Sequence, residues 1–544
     1  MSIGAALWQC VPAARATMMA RERTCMCLMV YGVGGGGVVM VGEKKSSWRV
    51  GPKPAVRRVG ATRRKGPKRG AAAPKQGVEG RIRAWIDDPA SPWGLMERPV
   101  PVLDAASFAF SISGVAIPAG RYEPGTADFR HWNAADSLRR TADLWAPLLS
   151  RHQVHRWQPG ATLPVSLDAG SDLNASYDRT QLAFFHAGRG KAAVYSGESP
   201  DIVCHETGHA CLDALRPDLW DAPFIETAAF HESFGDITAM LAALGLPQVR
   251  EQVLGALVAN KASPLSRIAE QLGAAVRQAK PDMVETDCLR NAANRWKYVA
   301  PESLPANAPA KELSAEPHAF SRVFTGAFHE LLSRMLRDTV ASPSADDLAA
   351  VAADAGRLLI DAVASAPVQP DFFAQVGTRM IDADSAAFSG RYGGVIEDVF
   401  VGRRILTAQA PRGRPDTAAG KRAQALRMVA VAAGGEMQTL EIDAAPYGLS
   451  SAGILVDVPR SGGAMAVPMG QRTLSVADST AALERSADRF IGVLFENQRI
   501  ELPSRTRVLG MAATTRGAGR RATHALSRTD GHLRLSRLRF DGAG

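Results

Sequence analysis

Residues 201–213 read DIVCHETGHACLD, with two histidines four residues apart, a glutamate directly after the first, and aspartates four residues outside each histidine. On a helix, Asp201, His205, His209 and Asp213 fall close to one face. Two imidazoles one turn apart can aim at one point, as the first two ligands of a tetrahedral zinc must. Glu206 stands off that stripe, beside the metal position but free of it, where a base acting on a metal-activated water belongs. Taken alone, the pattern also fits a surface helix with spaced histidines.

Zinc needs a third protein ligand. The arrangement H-E-x-x-H-x-x-G-x-x-H is excluded, because Leu212 and Leu215 stand where its glycine and third histidine belong. The alternative is a glutamate from a following helix, and FIETAAFHESFGDITAM at 224–240 supplies one. Glu232 and Asp236 share a face there. Glu232 can complete the zinc site, and Asp236 can accept the other ring N–H of a zinc histidine and fix its tautomer. The flanking Phe230, Phe234, Ile237 and Met240 make this helix largely apolar, and a buried acidic pair on it calls for a cation.

HETGHACLD followed by AAFHESFGDI resembles the paired zinc helices of thermolysin-like metallopeptidases, whose second helix reads approximately N-E-x-x-S-D. The resemblance spans about residues 130–400, in order. DLNASYDRT resembles the family's edge strand, which implies that Asn174 and Ala175 bind a substrate backbone. CLRNAAN resembles its Leu-Arg segment, so Arg290 would bind the carbonyl beside the scissile bond. EPHAFSRVFTGAFHELL resembles the helix that begins just after the catalytic histidine, and it places His318 as the stabiliser of the oxyanion. His231 replaces the usual Asn, and Trp220 stands near the place of the family's tyrosine. The family's calcium-binding acids are mostly missing, since 241–260 is nearly free of acids, so the expectation is one zinc without calcium.

The elements that must position these residues follow from pattern and composition. Strand-like runs (RIRAWIDDP, SFAFSISGVAIPAG, TLPVSLDAG, QLAFFHAG) and an amphipathic helix at 133–151, capped by Asn133, fill residues 81–200. Helical patterns dominate 201–405, with predicted helices at 201–217, 224–243, 247–260, 264–279, 317–339, 344–364, 370–380 and 390–400. A long connection occupies 281–316. The fold class is therefore α+β: a two-lobed, thermolysin-like arrangement with a β-rich N-terminal lobe and a helical C-terminal lobe. A small α/β or β appendage is read at 421–504, from LRMVAVAAG, TLEIDAAP and GILVDV. Residues 1–80 read as a disordered basic arm, and 505–544 as an arginine-rich tail.

Charge and cysteines narrow the function classes. Residues 1–80 carry a net +12 and 505–544 a net +7, while 81–504 carry −9. The folded middle is acidic, which argues against specific nucleic-acid binding. Cys204 and Cys211, seven apart on one helix, would lie about 10 Å from each other, beyond disulfide reach. With no disulfide framework, no clean signal peptide and no room for a long propeptide before the matched region, a cytoplasmic location is favoured over secretion. The glycine-interrupted apolar stretch near residues 24–42 makes a poor membrane span. The sequence thus reads as a zinc endopeptidase acting on peptides or proteins. The alternatives are a non-catalytic scaffold that keeps the zinc fold for binding, against which the presence of Glu206 argues, and a zinc aminopeptidase, for which no acidic pocket motif is visible.

Overall fold

A computed structural model describes residues 80–407, 437–451, 453–459, 476–503 and 521–542. The basic arm, apart from Gly80, and the LRMVAVAAG run lie outside the described residues. Among those described, no helix is long and apolar enough to cross a membrane.

The N-terminal part opens on an antiparallel pair, β1 (Arg81–Trp85) and β2 (Leu95–Pro99), followed by β3 (Ala109–Ile112). Helix α1 (Ala127–Ser150) begins six residues before its predicted start, because Thr126, not Asn133, is the cap: its hydroxyl accepts from the Phe129 N–H. Asn133 is instead buried inside the helix, where its Oδ1 accepts from the Trp85 N–H and its amide donates to the Glu198 carbonyl. Strands β4 (Thr162–Ser166), β5 (Ala175–Tyr177) and β6 (Leu182–Phe184) continue a small mixed sheet, and β7 (His186–Ala187) pairs with β8 (Val194–Tyr195).

The helical part follows. Helix α2 (Pro200–Leu215) starts on the Ser199 hydroxyl with proline at its first position, a strong helix-start signature. Helix α3 (Ile225–Leu244) is buried along all of its length, which explains why it is apolar all round rather than on one stripe. Then come α4 (Pro247–Val258), β9 (Arg267–Ile268) and α5 (Glu270–Ala279). The single helix predicted at 264–279 is thus broken, and Arg267 and Ile268 pair with β10 (Arg290–Asn291) from the long connection. Helices α6 (Pro317–Thr339), α7 (Ala345–Ser365), α8 (Phe372–Ala387) and α9 (Gly393–Gly402) complete this part close to the predicted places.

The C-terminal residues form β11 (Met437–Ile442), β12 (Ile454–Pro459), helix α10 (Val476–Glu496), β13 (Ile500–Glu501), β14 (His524–Thr529), β15 (His532–Arg537) and β16 (Phe540–Asp541). Five of these strands make one sheet in the order β11-β12-β15-β14-β13. The appendage therefore takes in residues 524–537 of the stretch read as a tail. Its last strand does not join this sheet. β16 adds to the edge of the N-terminal one, whose order is β16-β5-β6-β4-β3.

Helices α2 and α3 approach at two glycines. A Cβ on Gly208 would stand 2.8 Å from the Thr238 hydroxyl and 3.1 Å from the Gly235 Cα, and a Cβ on Gly235 would stand 2.6 Å from the His205 ring. The close approach sets how far Glu232 lies from the two histidines. Gly235→Ala should therefore push His205 off its position. We expect a destabilisation of about 1–3 kcal/mol from overpacking, read by denaturant unfolding. Unchanged stability would show that the helices can separate freely.

Candidate metal and catalytic site

The paired helices bring His205, His209 and Glu232 together, all buried, with one ligand atom from each within 4.8 Å of the others. His205 Nε2 lies 3.3 Å from Glu232 Oε2, and His209 Nε2 lies 3.7 Å from Glu232 Oε1. Both His209 ring nitrogens and Glu232 Oε2 are buried without a hydrogen-bond partner. Buried polar atoms left without partners cost free energy. Two imidazoles and a carboxylate converging at one point fit zinc as to donor type and number. Burial, reinforced by the neighbouring His205 and His231, pushes the His209 pKa well below its ordinary value, which favours the neutral form a metal takes.

Asp236 is where the helix spacing put it. Its Oδ1 lies 3.0 Å from His205 Nδ1, and Arg290 forks onto it, Nη2 at 2.7 Å from Oδ1 and Nε at 3.1 Å from Oδ2. Burial alone would raise this carboxyl, but Arg290 and His205 hold it below the usual carboxylate range. Arg290 thus anchors the carboxylate that orients His205. Arg290 also lines the cavity beside Asn174 and His318, so the substrate role that the sequence resemblance implies for it is compatible with its place.

Glu206 is fully buried beside this centre, with neither carboxylate oxygen hydrogen-bonded. Burial, with Glu232 and Asp541 adding to it against His205, raises its pKa to about 8. A carboxyl so placed can hold or release a proton near neutrality. His318 enters from the first turn of α6, its Nε2 at 3.2 Å from Glu232 Oε2. Glu316 caps that helix through the Ala319 N–H and also lies 2.7 Å from His318 Nδ1. Burial works against the charged imidazole, yet Glu232 and Glu316 raise the His318 pKa to about 10. The His318 Nε2 faces the centre.

Asn174, directly before β5, lines a cavity of about 350 Å³ with Arg290, His318 and Arg322, and Ala175 is the first residue of β5. The Asn174 side chain turns back onto the Ala175 N–H. Trp220 packs edge-on against Tyr177 at 5.7 Å between ring centres. His231 has no partner on either ring nitrogen and lies 5.6 Å, ring to ring, from His209. Asp213 does not join the centre: buried, it takes Tyr177 Oη at 2.9 Å and both ends of the Arg179 guanidinium. Cys204, Cys211 and Cys288 are buried and free.

Reasoning from sequence missed Glu316, Arg499 and the segment 540–542, all at this centre. Arg499 follows α10 and its Nη1 lies 2.7 Å from Asp541 Oδ2. Only the E-P-H spacing before α6 could have flagged Glu316. Nothing local flags the others.

A second group of buried acids gathers 87, 201 and 270, from the turn after β1 and the first turns of α2 and α5. The expectation of zinc without calcium was drawn from 241–260. This trio lies elsewhere and offers the oxygen-only donors that hard cations take. Asp87 Oδ2 and Glu270 Oε2 are buried without partners. Burial, then mutual repulsion, raises Asp87 and Glu270, the latter to about 9, and burial raises Asp201 to about 6. Raised carboxyl pKa values mean that the folded chain keeps protons the unfolded chain has released. The stability they contribute is complete below the ordinary carboxyl range and is lost as pH rises through about 6 and then about 9. In chelator, the melting temperature should fall between pH 5 and pH 9, and Glu270→Gln should flatten the upper part of the fall. Parallel curves for the two proteins would refute the assignment.

No protein-family model matches the sequence, and no curated protein matches it.

Proposed function

We propose that the protein is a zinc-dependent endopeptidase with a thermolysin-like division of labour between two helices and an edge strand. The observation that carries the reading is the convergence of two histidines and a glutamate, with free donor atoms, beside a buried, unpartnered Glu206. His205, His209 and Glu232 would hold the metal, which when bound acidifies a water and polarises a carbonyl. Glu206 takes the proton of the attacking water and gives it to the leaving amine. His318 donates from Nε2 to the carbonyl oxygen as it gains charge, and Glu316 keeps the imidazole charged and aimed. Asp236 and Arg290 fix His205. β5 grips the substrate by main-chain pairing, so that specificity for sequence comes from side-chain pockets around it.

The experiment is cleavage of a mixed peptide library by the zinc-loaded full chain. Internal peptide bonds should be cut. Cleavage confined to N-terminal residues would support the aminopeptidase, and no cleavage of any peptide would favour the binding scaffold.

A further inference from the structure

The C-terminal strand lies in the cleft as a peptide would. β16 pairs antiparallel with β5, Phe540 opposite Tyr177 and Asp541 opposite Ser176, and the Gly542 N–H donates to the Ala175 carbonyl at 3.0 Å. The Asp541 carbonyl oxygen lies 2.5 Å from His318 Nε2. Glu206 Oε1 lies 2.5 Å from where a Cβ on Gly542 would stand, so glycine is what lets the chain pass that close. The peptide bond between Asp541 and Gly542 thus has the oxyanion donor on its carbonyl and the candidate proton carrier beside its nitrogen-bearing residue.

The flanking side chains are seated too. The Phe540 ring stacks on His231 at 4.0 Å and on His209 at 4.8 Å between centres, with Trp220 edge-on at 5.4 Å. The Asp541 carboxylate pairs with Arg499. Ahead of them Arg537 ties the segment to the loop between α2 and α3, its N–H on Asp221 Oδ1 at 3.0 Å and its Nε on the Trp220 carbonyl at 2.7 Å. Aromatic stacking, an ion pair and strand addition act together on three consecutive residues. Held within the same chain, they cost no loss of translational freedom.

We propose that the Asp541–Gly542 bond is an intramolecular substrate of this site, cut once by the chain that carries it. The inference rests on the zinc-peptidase reading. Water adds to the Asp541 carbonyl carbon, the bond to the Gly542 nitrogen breaks, and Glu206 carries the water's proton to that nitrogen. The products are a chain ending in the Asp541 carboxylate and a free peptide beginning with Gly542.

The test is the intact mass of the full chain after incubation with zinc, for wild type and Glu206→Gln, over a tenfold range of protein concentration. Wild type should convert to a chain ending at Asp541 at a rate independent of concentration, and the variant should stay whole. Metal-free protein gives a second readout: amide exchange at 175–177 should be at least about tenfold faster in Phe540→Ala than in wild type, because β5 loses its partner strand. Equal exchange overturns the seating of the strand. A wild-type chain that stays whole while cutting library peptides overturns self-cleavage and leaves the peptidase reading standing. A chain that cuts neither overturns both.

Discussion

Glu206→Gln should lower peptide hydrolysis by about 10²–10⁴-fold, the range a positioned general base supplies, while zinc content stays at the wild-type level. The two outcomes separate because Glu206 is adjacent to the donor set but not of it: the three converging residues are His205, His209 and Glu232. The amide of glutamine nearly matches the carboxylate in shape, so packing is kept, but it cannot accept and return a proton. Steady-state kinetics on one library-derived peptide, with zinc measured on the same preparation, checks it. Retention of full activity would remove Glu206 from the chemistry.

Asp236→Ala should have the largest effect on the fold. Asp236 is buried, and it is the carboxylate onto which the buried Arg290 guanidinium forks at 2.7 and 3.1 Å. Removing one partner leaves a buried charge without its counterion, which costs about 3–5 kcal/mol. His205 loses its orienting partner at the same time, and loss of such a partner weakens metal binding about 10–100-fold. Denaturant unfolding of the metal-free chain isolates the first effect, and a competitive zinc titration the second. Double substitution of Asp236 and Arg290 should recover part of the stability but not the zinc affinity. Equal loss in the single and double variants would mean that the pair is not what holds this region.

The two paired helices were legible because their information is local. Ser199 and Pro200 announce α2, histidines one turn apart share its face, and Glu232 and Asp236 repeat the same spacing on a helix whose apolar flanks require burial. Boundaries failed where a tertiary partner outweighed pattern. Asn133 looked like a cap, but it sits inside α1 because the Trp85 N–H and the Glu198 carbonyl occupy its side chain. The predicted helix at 264–279 broke because Arg267 and Ile268 find a strand partner more than twenty residues on. Strand β16 was out of reach for the same reason. Two residues show no periodicity, and their partner, β5, lies more than three hundred residues earlier in the chain. Arg499 meets Asp541 only through that pairing. Composition made the arginine-rich end look solvated, whereas the Arg537 guanidinium lies inside the fold, its Nε donating to the Trp220 carbonyl of the α2–α3 loop.

The central claim is that two helices build a zinc site from His205, His209 and Glu232, and elemental analysis of protein purified without chelators tests it most directly. The account predicts about one zinc per chain, falling to background in His209→Ala and in Glu232→Ala but not in His231→Ala. Wild-type protein free of zinc, or ligand variants that keep it, would contradict the account.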